Sequence, residues 1–219
     1  MAKSGRASKV AEGGTARSVE TRRLLVEAAI ATLQDVGYAG ASARAIAERA
    51  GSTQGLIFYH FGSVANLLLA ALDAVSAARL ERYGAAVARV GSPEDLIDAA
   101  AGIFREDLDA GYVTVLVEMI AGASSTPGLG PAVASRIEPW KEFAQRAIEE
   151  MLGQSPLGSL LPSRDVAHAV VALYLGLEML SHLDGDRAPA LALFAQAARM
   201  AGLLSALSGP SPAPKEDTQ

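Results

Sequence analysis

Residues 42–61 read Ser42-Ala43-Arg44-Ala45-Ile46-Ala47-Glu48-Arg49-Ala50-Gly51-Ser52-Thr53-Gln54-Gly55-Leu56-Ile57-Phe58-Tyr59-His60-Phe61, two short helical patterns meeting at one glycine. Ser42 is placed to cap the first helix through its hydroxyl, and Ile46, Ala47 and Ala50 recur at helical spacing on one face. Gly51 stops that helix, because left-handed backbone costs glycine almost nothing. Thr53 is the candidate cap of a second helix that carries Ile57 and Phe61, four residues apart, to the inside. Helices that cross steeply over a short turn come close, which asks for a side chain as small as that of Ala47 at the crossing. The pattern is a helix-turn-helix; the plainer reading, a helical hairpin within a larger bundle, leaves its exposed chemistry unexplained.

With Ile57 and Phe61 inside, Thr53, Gln54, Gly55, Leu56, Tyr59 and His60 lie on the outer side and leading end of the second helix. Gln54 can make a bidentate pair with adenine, Leu56 can touch a thymine methyl, and Thr53, Tyr59 and His60 can bond phosphate oxygens. Gly55 lets the backbone approach closely, and Arg44, near the start of the first helix, is expected on the DNA backbone.

Residues 22–72 resemble the DNA-binding domain of the TetR family of bacterial transcriptional regulators. The resemblance is carried by Ile46-Ala47-Glu48, Ala50-Gly51, Gly55 to Phe61, and Asn66-Leu67-Leu68 opening the next helix. Three departures stand beside it. Ser52 replaces the usual small apolar residue after the turn glycine. Phe58 replaces a tyrosine and cannot donate to a phosphate. Gly62-Ser63-Val64-Ala65 lacks the usual lysines, leaving Ser63 as a cap whose helix amides can still face a phosphate.

The chain has 219 residues, half of them apolar and few aromatic, a composition that favours close-packed helices. The net charge of -5 is unevenly spread: residues 1–62 carry eight Lys and Arg against five Asp and Glu, and the remainder eleven against nineteen. The basic part holds the motif, and phosphate would repel the acidic body. No cysteine is present, which excludes disulfide and thiol chemistry and fits a cytoplasmic protein. The basic start is not followed by an apolar signal region, and the best apolar stretch, Ala169 to Leu177, is expected to be too short to span a bilayer before Glu178 interrupts it.

The expected fold is all-α with about nine helices: an N-terminal three-helix helix-turn-helix domain, then a helical ligand-binding and dimerisation domain. Residues 1–16 read as a disordered basic tail in which Lys3, Arg6 and Lys9 are either solvated or a minor-groove arm. The DNA-binding domain occupies residues 17–72. Its first helix is expected from Arg17 or Ser18 to Val36, with Leu24, Leu25, Ala28, Ala29 and Leu33 inward. The effector-binding and dimerisation domain covers residues 73–207, and residues 208–219 read as a second disordered tail. In the body, helices are expected at about 92–108, 111–121, 131–152, 163–183 and 186–207.

Small residues and one aromatic on the last helix, Phe194, Ala198, Ala201 and Ser205 among them, permit close helix approach. They suit an intramolecular core equally. The resemblance implies the other use, because TetR-like regulators form homodimers through their last two helices. It also implies a small-molecule effector held in the body. Candidate effector-binding residues are Phe104, Tyr112, Met119, Trp140, Phe143, Tyr174 and Glu178, with Tyr174 or Glu178 as the polar anchor of an uncharged or cationic ligand.

Asp165 with His168 and Glu178 with His182 have helical spacing, but the two histidines stand about 21 Å apart along a helix and cannot share an ion. No phosphate loop or nucleophile elbow is evident, so no enzyme, metal or cofactor is expected. The expected function is that of a ligand-responsive regulator, a repressor, bound to double-stranded DNA. The competing expectation is a helical protein-binding adaptor that has lost DNA binding.

Overall fold

Hydroxyl caps set several of the helix starts. The computed structural model describes residues 4–152 and 162–207, with side chains over 16–150 and 162–203. Its helices are α1 (Ser4–Gly40), α2 (Ala43–Arg49), α3 (Gln54–Phe61), α4 (Val64–Val87), α5 (Pro93–Asp109), α6 (Tyr112–Ala123), α7 (Leu129–Ala134), α8 (Glu138–Leu152), α9 (Ser163–Asp184) and α10 (Ala188–Leu207). Ser42, Ser63 and Ser92 accept from the amides of Ala45 (3.2 Å), Asn66 (3.1 Å) and Asp95 (3.1 Å) at the starts of α2, α4 and α5. Each cap satisfies an amide that the helix cannot. Thr53 does not cap α3 with its side chain; the first turn closes instead through the Leu56 amide on the Thr53 carbonyl at 3.1 Å.

Several boundaries differ from expectation. α1 begins at Ser4, so Arg17 is an interior position. Residues such as Arg6, Ala7, Lys9 and Ala11 are good helix formers, and extending an existing helix costs far less than nucleating one. Gly37, at φ 69° and ψ -176°, breaks α1 where the stop is expected. The long pattern from Pro131 to Leu152 divides into α7 and α8 at a turn through Ser135 to Ile137, where the Arg136 amide bonds the Val133 carbonyl and the Ile137 amide that of Ala134. All of the expected loop at 153–162 except Pro162, and the tail at 208–219, lie outside the described residues.

The head is built by α1 to α4. Leu25, Ala29 and Leu33 of α1, Ile46 and Ala47 of α2, Ile57 and Phe61 of α3, and Leu67, Leu68 and Leu72 of α4 form its core. Leu24 faces out instead, one position off the stripe. A fully buried leucine or isoleucine contributes about 1.5–3 kcal/mol, so the helix-turn-helix is held chiefly by this core. The same cluster continues through Val75 into Val115 and Met119 of α6 and Leu129 and Val133 of α7. Head and body therefore share apolar packing across α4.

In the body, α10 packs on α5 and α9 on α8. By length and composition α9 is apolar enough to cross a membrane, against the expectation that Glu178 would cut the stretch short. One carboxylate does not lower the apolar character of the stretch enough to cut it, and in the fold that carboxylate is buried against Arg79 of α4.

Candidate functional site

The turn in the head follows the physics of its residues. Gly51 sits at φ 58°, and the Ser52 amide bonds back to the Ala47 carbonyl at 2.9 Å. Ile57 and Phe61 are buried, while Thr53, Gln54, Gly55, Leu56, Phe58 and Tyr59 are exposed and His60 is partly so. Tyr59 is 80% exposed, and its ring meets that of His60 edge-on at 5.0 Å. Arg44 is exposed near the start of α2, and Ser63 holds the start of α4 next to the end of α3. The eight candidate DNA-binding residues thus come together around α3. The sequence reading did not single out Arg22, whose Nη1 donates to the His60 carbonyl at 3.2 Å and whose guanidinium lies over the Phe61 ring at 4.4 Å. Arg22 ties the end of α3 to α1. The Ser52 hydroxyl is buried without a partner among the described residues, the cost of a polar group where the turn suits an apolar one.

The head is joined to α6 by polar contacts as well as by the shared core. Gln34 Nε2 donates to the carbonyls of Ala110 (3.2 Å) and Gly111 (3.0 Å). The Tyr38 amide, released where Gly37 breaks the helix, donates to Glu118 Oε2 at 2.7 Å. The Tyr38 hydroxyl and the Thr126 hydroxyl share a hydrogen bond of 2.9 Å. The Tyr38 ring lies against Gly122 so closely that a Cβ there would come within 2.5 Å of it. Only a glycine fits.

A cavity of about 170 Å³ lies in the body between α4, α5, α6, α8 and α9. Four expected effector residues line it: Tyr112, Trp140, Phe143 and Tyr174. Three do not. Phe104 is fully buried beneath the rings of Tyr174 (5.6 Å) and Phe194 (5.3 Å). Met119 is fully buried in the core shared with the head, because α6 turns Tyr112 and Leu116 to the cavity and Val115 and Met119 to the other side. Glu178 is buried behind Arg79 and is not part of the wall.

The wall includes polar groups that the sequence reading missed, namely Arg79, Tyr83 and Arg136. Their signal was present: Leu68, Leu72, Val75, Arg79 and Tyr83 follow one stripe of α4, so periodicity carries Arg79 inward with its apolar neighbours. Arg79 Nε donates to Asp107 Oδ2 at 2.7 Å, its Nη2 to Glu178 Oε1, and Arg82 Nη2 to Asp107 Oδ1 at 2.6 Å. Burial works against the Arg79 charge, but the attraction of Glu178 and Asp107 holds its pKa above its ordinary range. Burial pushes the Glu178 carboxyl up to about 7, Arg79 opposing and Asp107 reinforcing the shift. Burial also raises the phenols of Tyr83 and Tyr174, which therefore stay protonated and hydrogen-bonded to each other. Trp140 Nε1 donates to Ser76 Oγ at 2.8 Å, and its ring lies 4.9 Å from the Arg79 guanidinium carbon. His182 is exposed while Glu178 is buried, so the two do not form a pair.

The face expected to meet a partner turns inward. Ala198 is 4% exposed, Phe194 packs on Phe104 and Tyr174, and Ala201 is half-buried beside them. The Ser205 side chain lies outside those described. A Cβ on the nearby Gly202 would come within 2.5 Å of Glu94 Oε2 of α5. Small residues permit close approach, and α5 of the same chain uses it. The opposite face is apolar and exposed, with Val170, Leu173, Leu180 and Leu183 on α9 and Leu193, Met200 and Leu203 on α10.

Residues 25–71 match the family described as bacterial regulatory proteins, tetR family. The chain is similar to an uncharacterised HTH-type transcriptional regulator of Mycobacterium tuberculosis, 36% identical over 108 residues that cover 49% of this chain and 55% of the relative. It thus spans about half the length of the curated relatives that it matches. A solved TetR-family member from Streptomyces coelicolor A3 superposes with a TM-score of 0.62 at 26% identity, covering 81% of this chain and 98% of that one. A transcriptional regulator from Saccharomonospora viridis, solved in complex with choline, superposes with a TM-score of 0.65 at 19% identity, covering 83% and 95%. The likeness in sequence falls on the helix-turn-helix, where residues 25–71 carry the DNA-binding segment of the TetR family of bacterial regulatory proteins, and the likeness in fold to a TetR-family structure runs on through the body.

Proposed function

We propose that the protein is a transcriptional repressor in the cytoplasm, which binds a near-palindromic DNA operator as a homodimer and releases it when a small molecule occupies the body cavity. The observation that carries the reading is the surface of α3: two large apolar residues hold it to the core, while Thr53, Gln54, Gly55, Leu56 and Tyr59 stand exposed with Arg44 and Ser63 at its flanks. Gln54 and Leu56 have the chemistry to read base edges; Tyr59, His60, Thr53 and Arg44 have the chemistry to hold phosphates.

The apolar outer face of α9 and α10 supports a dimer, since stripes of this kind on a soluble protein mark interfaces. A two-fold dimer can set its recognition helices about 34 Å apart, in successive major grooves. The cavity supports an effector: an apolar hole of about 150 Å³ is enough to hold benzene, and this one is slightly larger at about 170 Å³. The choline complex of the Saccharomonospora viridis regulator is a precedent for a small molecule on this fold.

The adaptor reading is favoured by one observation, the absence of lysine from Gly62-Ser63-Val64-Ala65 at the start of α4. In vitro selection of bound duplexes followed by titration against salt separates the two. The repressor yields a two-fold symmetric consensus and an affinity that falls steeply with salt as phosphate contacts release counterions. An adaptor enriches no sequence, even at low salt.

A further inference from the structure

We propose that the body cavity takes an uncharged molecule of about one ring in size carrying a hydrogen-bond acceptor, because Glu178, buried behind Arg79, already supplies the negative charge that the carboxylate of a ligand would otherwise bring to it. The inference rests on reading the cavity as an effector site. Its basis is the way the arginines of the wall are answered. Arg79 is engaged by Asp107 (2.7 Å) and Glu178, Asp107 is shared with Arg82 (2.6 Å), and Arg136 is paired with Asp73 (2.6 Å). Within the cluster Arg79 and Arg82 balance Asp107 and Glu178, so no net charge is offered to a ligand.

An anion entering the cavity would add a third negative charge beside Asp107 and Glu178. A cation would face Arg79 and Arg136. Either must leave water for a wall that is otherwise almost entirely apolar, which is unfavourable without a free partner. A neutral oxygen has one. Nη1 of Arg79 has no hydrogen-bond partner among the described residues, and Arg79 is part of the cavity wall, with Trp140 closing over the guanidinium. A carbonyl, ether or hydroxyl oxygen can accept from it, while the body of the ligand rests on Val75, Ile103, Leu116 and Phe143.

Glu178 makes the preference conditional on its own charge. Its Oε2 is buried without a partner among the described residues, so a proton there breaks no hydrogen bond to them. The charged and titratable groups around it are Arg79 and Tyr83 of α4, Asp107 of α5 and Tyr174 of α9, and no histidine lines the cavity. Neutralising Glu178 leaves Arg79 with only the carboxylate that it shares with Arg82. The guanidinium can then answer an anionic ligand.

Trp140 is the sole tryptophan and lies on the wall, so its fluorescence reports occupancy directly, without DNA. The probes are 4-methylbenzamide, 4-methylbenzoate and 4-methylbenzylammonium, alike in shape and different in charge. At about pH 8 the wild type should bind the amide at least about tenfold more tightly than either ion. Glu178→Gln should raise affinity for the benzoate about tenfold and leave the amide little changed. Taking the wild type from about pH 8 to about pH 6 should raise benzoate affinity in the same direction while the benzoate itself stays ionised, an arm that needs no variant to fold. Equal affinity for the amide and the benzoate, or a ratio that neither pH nor Glu178→Gln alters, overturns the inference and leaves the cavity a ligand site. If no probe perturbs Trp140 at millimolar concentration in either protein, the effector-site reading itself fails, and this inference with it.

Discussion

Gly37 meets two demands at once. Its backbone sits at φ 69°, and a Cβ on it would come within 2.6 Å of Glu118 Oε2, the atom that accepts from the Tyr38 amide. Gly37→Ala should therefore cost more than about 1 kcal/mol of stability in urea unfolding, since alanine is strained at positive φ and also displaces the carboxylate. A loss within experimental error would mean that neither constraint holds. Glu178 behaves differently because its effect depends on pH. The folded protein holds its proton more tightly than the unfolded chain, with a pKa of about 7 against 4.5. That contribution is complete below the unfolded value and is lost as pH rises through the folded one, so stability falls across the window. Glu178→Gln should flatten this slope, its melting temperature gaining on that of the wild type between about pH 5 and about pH 8. Parallel pH profiles for the two proteins would refute the assignment. On α3, Gln54→Ala should relax selection at one base pair per half-site by about 1–3 kcal/mol, whereas Tyr59→Phe should weaken all sequences alike. Selection on each variant distinguishes a base contact from a phosphate contact.

Helices take their roles here from which face is already occupied. The small face of α10 is closed by α5, so an arginine at Ala198 would be forced into the chain's own core and should unfold the body. On the outer stripe of α9, Leu173 is 56% exposed and Leu180 is 61% exposed. Leu173→Arg should leave the fold intact and separate the proposed dimer, because an uncompensated charge would be buried only on association. Sedimentation with circular dichroism checks the pair of substitutions: a dimer that survives Leu173→Arg would move the interface elsewhere. α4 is the helix that belongs to both halves. Its first turns, Leu67 to Leu72, complete the head core, and Arg79 and Tyr83 line the cavity. α6 lies alongside, with Tyr112 and Leu116 on the cavity and Glu118 and Gly122 on the head.

Across the whole molecule, the two proposed functions must be linked by energy and not by proximity alone. A ligand that fills the cavity can move the heads only if it binds the DNA-releasing arrangement better, and a hundredfold loss of operator affinity needs a coupling of about 2.7 kcal/mol. The linkage is reciprocal. Operator DNA should weaken effector binding by the same factor, read from the fluorescence of Trp140 with and without the duplex. Tight binding with no change in DNA affinity would leave the cavity occupied and uncoupled. Charge adds to the arrangement, since the basic excess lies in the first 62 residues and the acidic excess in the remainder. The body is then repelled from phosphate while the head is drawn to it.

Local rules were sufficient wherever a short stretch decides its own conformation. Gly51 and Gly37 as stops, Ser42, Ser63 and Ser92 as caps, and Ile57 with Phe61 as the inward pair of α3 are all legible from spacing and backbone preference, and with them the helix-turn-helix. The family is legible for the same reason, because the residues that carry the resemblance lie within one continuous stretch. What periodicity cannot do is choose which neighbour a face meets. The small stripe of α10 suits a partner chain or α5 equally, and only the tertiary packing assigns it to α5. Large side chains at helical spacing likewise read alike, yet Trp140 and Tyr174 line the cavity while Phe104 and Met119 fill solid core. The buried cluster of Arg79, Asp107 and Glu178 joins side chains 28 and 99 residues apart in sequence. With Arg82 also on Asp107, its charges cancel only when three helices meet, and that meeting is a property of the folded chain.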